Sequence, residues 1–123
     1  MERIEIPYKF PSLNDYTNAN RTKSYAGANM KKKVQRDIAP FISKLPKYEK
    51  PIALTFTWIE GNKRRDLDNI CFAKKFILDA LVENGKLKDD NRRCVTAFRD
   101  RFGYGDSFKV ILEIVEVEND SDY

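Results

Sequence analysis

The sequence predicts a single α+β domain with elements in the order βαβαββ, forming a mixed sheet packed by two helices. Three observations lead there. The length of 123 residues is the usual size of one domain. Short period-two runs stand apart from helix-period runs. Glycine, proline and asparagine punctuate the joins between them. A hydrophobic fraction of 41% is too high for a disordered chain, and no apolar run is long enough to span a membrane. The domain is expected to occupy residues 1–117, with 118–123 as an acidic, disordered tail.

Arg3 to Phe10 alternates apolar and polar residues and reads as a first strand, with Pro7 suited to an edge position. Residues 11–24 are rich in Asn, Asp, Ser and Thr without a period, and read as a long loop that orders on a bound ligand. From Tyr25 to Leu45, Met30, Val34, Ile38, Phe41 and Ile42 fall at helical spacing. The first half of this helix is basic, and Pro40 is expected to bend or split it.

Ile52 to Ile59 is dense in β-branched and aromatic residues, the composition of a buried strand. Gly61 and Asn62 break it. Lys63 to Asp68 then reads as an extended approach to a helix from Asn69 to Glu83, closed by Asn84-Gly85 as a left-handed C-cap. Cys94 to Arg101 and Ser107 to Val117 alternate as two further strands, with Gly103-Tyr104-Gly105-Asp106 as their hairpin turn.

Composition excludes several chemistries. The chain has no histidine, so Ser-His-Asp and Cys-His hydrolases, HEXXH metalloproteases and HNH-type nucleases are ruled out. Cys71 and Cys94 are too few for a four-cysteine zinc site and read as buried thiols. A metal site here would be built from carboxylate oxygen, which selects hard ions such as Mg²⁺ or Mn²⁺. Met1 leads into a charged, alternating segment without a signal-peptide core, so a cytoplasmic location is expected.

The net charge is +4, but Glu116, Glu118, Asp120 and Asp122 lie together near the C-terminus, and setting those four charges aside leaves +8 on the rest. Arg21, Lys23, Lys31, Lys32, Lys33 and Arg36 form one basic cluster and Lys63-Arg64-Arg65 a second, a distribution suited to a polyanion. Lys31, Lys32, Lys33, Arg64 and Arg65 are candidate phosphate contacts, and Asn14, Arg21 and Asn69 complete the candidate DNA-binding set. The competing reading of such clusters is a solvated face.

The second basic cluster runs into Asp66-Leu67-Asp68-Asn69. In an extended segment residues i and i+2 point the same way, so Asp66 and Asp68 are expected to reach one ion while Leu67 anchors on the other side. Asp89-Asp90 follows the next helix, and its loop is expected to fold back and bring a third carboxylate to the pair. Acidic ligands for metal ions beside a basic surface suit metal-assisted phosphodiester cleavage. The ordinary reading of the same residues is a helix N-cap and a polar turn. Lys75, seven residues after Asp68, is placed to present its ammonium to the scissile phosphate, with Lys74 as its alternative or a salt bridge to Asp79 as its structural role.

Asp66-Leu67-Asp68-Asn69, then Lys75-Phe76-Ile77-Leu78-Asp79-Ala80-Leu81, Asn84-Gly85 and Asp89-Asp90, resembles the signature of RusA-type Holliday-junction resolvases. The likeness is specific over residues 60–93 and extends weakly to Pro11-Ser12-Leu13-Asn14 and the basic helix after it. It implies a homodimeric, Mg²⁺-dependent endonuclease, with Mn²⁺ as a substitute ion, that resolves four-way DNA junctions by paired symmetric incisions in recombination and repair. It also implies metal-binding aspartates at Asp66, Asp68 and Asp90 and a catalytic lysine at Lys75. In the family's better-known form the lysine follows the second aspartate by four residues, where this chain has Phe72, so aligning Lys75 places three extra residues within Ile70 to Lys74. The rival expectations are a nucleic-acid-binding module without catalysis, and a nuclease for flaps, forks or single strands.

Overall fold

A computed structural model describes residues 1–118; of the expected acidic tail, all but Glu118 lies outside the described residues. The elements are β1 (Glu2–Ile6), α1 (Leu13–Thr22), α2 (Ala26–Ile42), β2 (Ile52–Glu60), α3 (Leu67–Cys71), α4 (Lys74–Glu83), β3 (Val95–Tyr104) and β4 (Lys109–Glu116). The class is α+β, with a four-stranded mixed sheet in the order β1-β4-β2-β3. β2 runs parallel to β3 and antiparallel to β4, and β1 runs antiparallel to β4.

The central place of β2 follows from its composition, since a strand with neighbours on both sides needs apolar residues to cover it. Its even-numbered residues Ile52, Leu54, Phe56 and Trp58 share one core with Val110, Leu112 and Ile114 of β4 and Ile6 of β1. The helices close that core with Val34, Ile38 and Ile42 from α2 and Phe76, Ile77, Ala80 and Leu81 from α4. Each fully buried side chain of this size contributes about 1.5–3 kcal/mol. Thr55, Thr57 and Ile59, on the alternate face of β2, are only partly buried.

Four sequence expectations are corrected. Residues 13–22 form α1 rather than a loop. Ser12 caps it through a reciprocal pair of hydrogen bonds, Ser12 Oγ accepting from Asp15 N–H at 3.0 Å and Asp15 Oδ2 accepting from Ser12 N–H at 3.0 Å. The polar helix is then held by Tyr16, whose ring lies 5.5 Å from Phe72 and 6.0 Å from Phe76. The basic helix is not split by Pro40, which sits in its last turn and is followed by the helix end at Ile42. The helix expected over 69–83 is two helices, α3 and α4, broken at Phe72-Ala73, where Phe76 N–H bonds back only three residues to the Ala73 carbonyl.

The fourth correction is topological. β3 and β4 do not form a hairpin, because β2 lies between them. Residues 105–108 instead cross over the C-terminal end of β2, where Gly105 N–H donates to the Glu60 carbonyl at 3.0 Å. Gly61 permits the crossing: a Cβ there would stand 2.8 Å from Cε1 of Phe108. Gly85, at φ 70, supplies the expected left-handed C-cap of α4.

Gly61→Val should therefore lower the urea midpoint by an amount equivalent to about 1–3 kcal/mol, the usual range for overpacking, with the m-value unchanged. Phe108→Ala should recover part of the loss in the double variant. An unshifted midpoint in Gly61→Val would show that the crossing is not tightly packed.

Candidate functional site

The C-terminal end of β2 is where chemistry-bearing residues collect, and Glu60 organises them. It is the last residue of the strand, faces the core side and is 5% exposed. A carboxylate buried to that extent requires a cation and hydrogen bonds. Arg65 meets it in a bidentate fork, Nε donating to Oε1 at 2.8 Å and Nη2 to Oε2 at 2.9 Å, while Nη1 donates to the Phe10 carbonyl at 2.8 Å. Arg65 is consequently a structural clamp and not a phosphate contact, which corrects its expected role. Its guanidinium also lies 5.8 Å from the centroid of the Phe108 ring.

The clamp fixes the start of α3 one residue later. Asp66 is the N-cap of this helix, in extended conformation with φ −74 and ψ 156, and its backbone carbonyl accepts from the N–H groups of Asn69 and Ile70, both at 3.1 Å. Its side chain makes no capping bond. Asp68 falls in the first turn of α3, so the two aspartates are not successive outward positions of an extended segment. Leu67 is 52% exposed and anchors nothing. Both carboxylates are exposed, and among the described residues neither has an ion-pair partner within 4 Å. Asn69 has a structural role: its Oδ1 accepts from Asn14 N–H at 3.0 Å and ties the first turn of α1 to α3.

A third carboxylate comes from β3. Asp100 pairs with Phe56 of β2 and accepts from Trp58 Nε1 at 2.9 Å, while its other oxygen holds the Lys74 ammonium. Lys74 also lies over Phe98, 4.7 Å from the ring centroid. Burial pushes the Cys71 thiol up; Lys74 opposes this, and Asp100 and Asp68 reinforce it, so these four side chains share one electrostatic neighbourhood. Sequence reasoning missed Asp100. Its signal was a charged residue in register with Phe98 and Phe102, the face that turns toward the helices.

The remaining expected site residues separate. Asp90 lies in an exposed turn in which its own N–H donates to Asp89 Oδ1 at 2.7 Å. That turn leads to Cys94, whose carbonyl accepts from Ile52 N–H at 2.9 Å, so it joins β2 at the end opposite Glu60, about 26 Å of strand away. The expected folding-back of this loop is not seen: among the described residues, no three His, Cys, Asp or Glu side chains group as they would around an ion. Lys31 pairs with Asp79 at 3.1 Å and Lys33 with Asp37 at 2.7 Å. Arg21, Lys32, Arg64 and Lys75 are exposed, and Asp79 is engaged by Lys31 rather than by Lys75.

For a divalent ion, the donors on offer are Asp66 and Asp68. Two carboxylates suit Mg²⁺, which keeps several waters and takes the rest of its shell from substrate phosphate. No family model matches the chain, and no curated protein matches its sequence.

Two outcomes follow. Glu60→Gln leaves a buried guanidinium without its countercharge and should cost about 3 kcal/mol, with hydrogen exchange accelerated in Asp66 to Ile70. Stability within 0.5 kcal/mol of the parent, an order-of-magnitude threshold for a surface change, would refute the clamp. At pH 8, Cys71 should alkylate with iodoacetamide more slowly than after unfolding in urea, because burial raises its pKa and leaves less thiolate; equal rates would contradict that burial.

Proposed function

We propose that the chain is a metal-dependent endodeoxyribonuclease that cuts branched DNA, with four-way junctions as its substrate. The observation that carries this reading is the pair of exposed carboxylates, Asp66 and Asp68, on a segment clamped by Glu60 and Arg65 and flanked by unpaired basic side chains. Aspartates at an N-cap and in a first turn suit a helix N-terminus; exposed and without countercharges, these two are also open to a cation and a phosphate.

In this reading Asp66 and Asp68 would hold Mg²⁺ or Mn²⁺, which when bound would supply activation of water and charge neutralisation at the phosphate. Lys75, exposed on the first turn of α4, offers its ammonium to the scissile phosphate. Lys74 is a positioning residue: held by Asp100, it fixes the start of α4 and thereby the direction of Lys75. Lys32, Arg21 and Arg64 supply sequence-independent phosphate contacts. Two incisions related by a two-fold axis need two sites, so the active species is a homodimer in which isologous contact places one site on each strand. The likeness of residues 60–93 to RusA-type resolvases supports the same substrate.

A second reading, a nucleic-acid-binding domain without catalysis, is favoured by one observation: the lack of a three-carboxylate group among the described residues.

A synthetic four-way junction incubated with and without Mg²⁺ separates them. Asp66→Asn and Asp68→Asn should each abolish cleavage while junction binding stays equal or tightens, since each removes a negative charge that repels phosphate. Asp90→Asn should act more weakly, because its turn lies at the other end of β2. Absence of cleavage by the parent chain at any Mg²⁺ concentration would leave the binding domain as the answer, and complete loss in Asp90→Asn would require that turn to move, or a second subunit to provide it.

A further inference from the structure

β3 is the last strand in the order β1-β4-β2-β3, and α4 reaches it through Lys74, which meets Asp100 and the Phe98 ring. Phe98, Phe102 and Tyr104 pair with Leu54, Trp58 and Glu60 of β2, so all three stand on the helix-side face of the sheet. Phe98 is 50% exposed and Tyr104 54%, with Phe102 partly buried between them. Phe102 and Tyr104 are one two-residue step apart, about 7 Å, while Phe98 stands about 13 Å from Phe102 with Asp100 between them, so the rings present separate faces. Each exposed ring carries an ammonium: Lys74 Nζ lies 4.7 Å from the Phe98 centroid and Lys63 Nζ 5.0 Å from that of Tyr104.

We propose that this uncovered aromatic row is a stacking platform for unpaired nucleobases of a DNA strand. It rests on the DNA-processing reading above and names the part of the substrate that this face takes. An apolar protein partner would bury Lys63, which has no ion-pair partner among the described residues, against hydrophobic surface at a large desolvation cost, whereas Lys74 is already paired with Asp100. A nucleic acid brings phosphates that neutralise such ammonium groups while its bases cover the rings. Paired bases are stacked on one another inside a duplex, so only unpaired ones offer a face, and they occur where strands exchange at a branch. A second copy of this chain is disfavoured as the occupant of the β3 edge by the exposed Arg99 and Arg101, charges of the kind that block edge-to-edge pairing.

The test uses a fluorescent oligo-dT strand and a duplex of equal length, without divalent ion. The double variant Phe98→Leu, Tyr104→Leu keeps apolar volume and removes the π faces; its affinity for oligo-dT should fall about tenfold or more, with duplex affinity changed less than twofold, as loss of about one to two base stacks implies. Separately, the Tyr104→Trp variant retains a ring, and its fluorescence should be quenched by oligo-dT and not by duplex. Unchanged affinity with no quenching overturns the proposal. A change in sedimentation of the double variant without a change in oligo-dT affinity also overturns it, and assigns the face to a second copy. Because no cleavage is measured, quenching in a protein that never cuts branched DNA would sink the nuclease reading alone. A double variant that cuts junctions and binds oligo-dT like the parent would sink the platform alone.

Discussion

The bidentate pair between Glu60 and Arg65 is the constraint on which the rest of this end of the molecule depends. A carboxylate that is 5% exposed at the tip of the central strand has to be neutralised in place. The segment that leaves the strand supplies the cation, as Arg65 turns back five residues later to meet it. Its third hydrogen bond, to the Phe10 carbonyl, ties in the chain that precedes α1. The start of α3, the approach to α1 and the end of β2 are thus held by one guanidinium. Lysine lacks the planar fork needed to make these bonds together.

From that clamp the acidic segment acquires its character. Asp66 begins a helix through its backbone, leaving its carboxylate unspent, and Asp68 follows within the first turn. Nearby, Asp100, Trp58 and Lys74 form a satisfied polar network over the aromatic rings of Phe56 and Phe98. One set of charges is paired and partly buried, the other unpaired and exposed. The first builds a rigid wall; the second is free to act on something from outside.

Much of the fold was legible in the residues and the reasons are particular. Ile52 to Glu60 could be read as a buried strand because its β-branched and aromatic density leaves little alternative, and the stripe from Val34 to Ile42 marked a helix. α1 was obscured because its stability comes from a cap and one tyrosine, with no buried residue of its own; Ser12 and Asp15, three apart, were the available signal. The crossing over β2 was hidden by a Gly-Tyr-Gly-Asp stretch that looks like a hairpin turn, since pairing partners are set by the whole sheet. Arg65 was read with Lys63 and Arg64 as surface charge because its partner, Glu60, shows its burial only once β2 is placed. Asp66 and Asp68 were found by their spacing, but a helix beginning at Leu67 sets them at its N-cap and in its first turn rather than along an extended segment. Asp90 was placed with them on the expectation of a returning loop, whereas the loop is anchored beside Ile52.

The position of a bound divalent cation is the most direct test of the acidic segment's role. Titrating Mn²⁺ into the isotopically labelled chain and following paramagnetic broadening of its amide signals measures this without DNA or cleavage. Broadening centred on Asp66 to Ile70, reaching Lys74 and leaving Asp89 to Asn91 sharp, is the expected result. Broadening centred on Asp89 to Asn91, or none at Asp66 and Asp68 at millimolar ion, would contradict it.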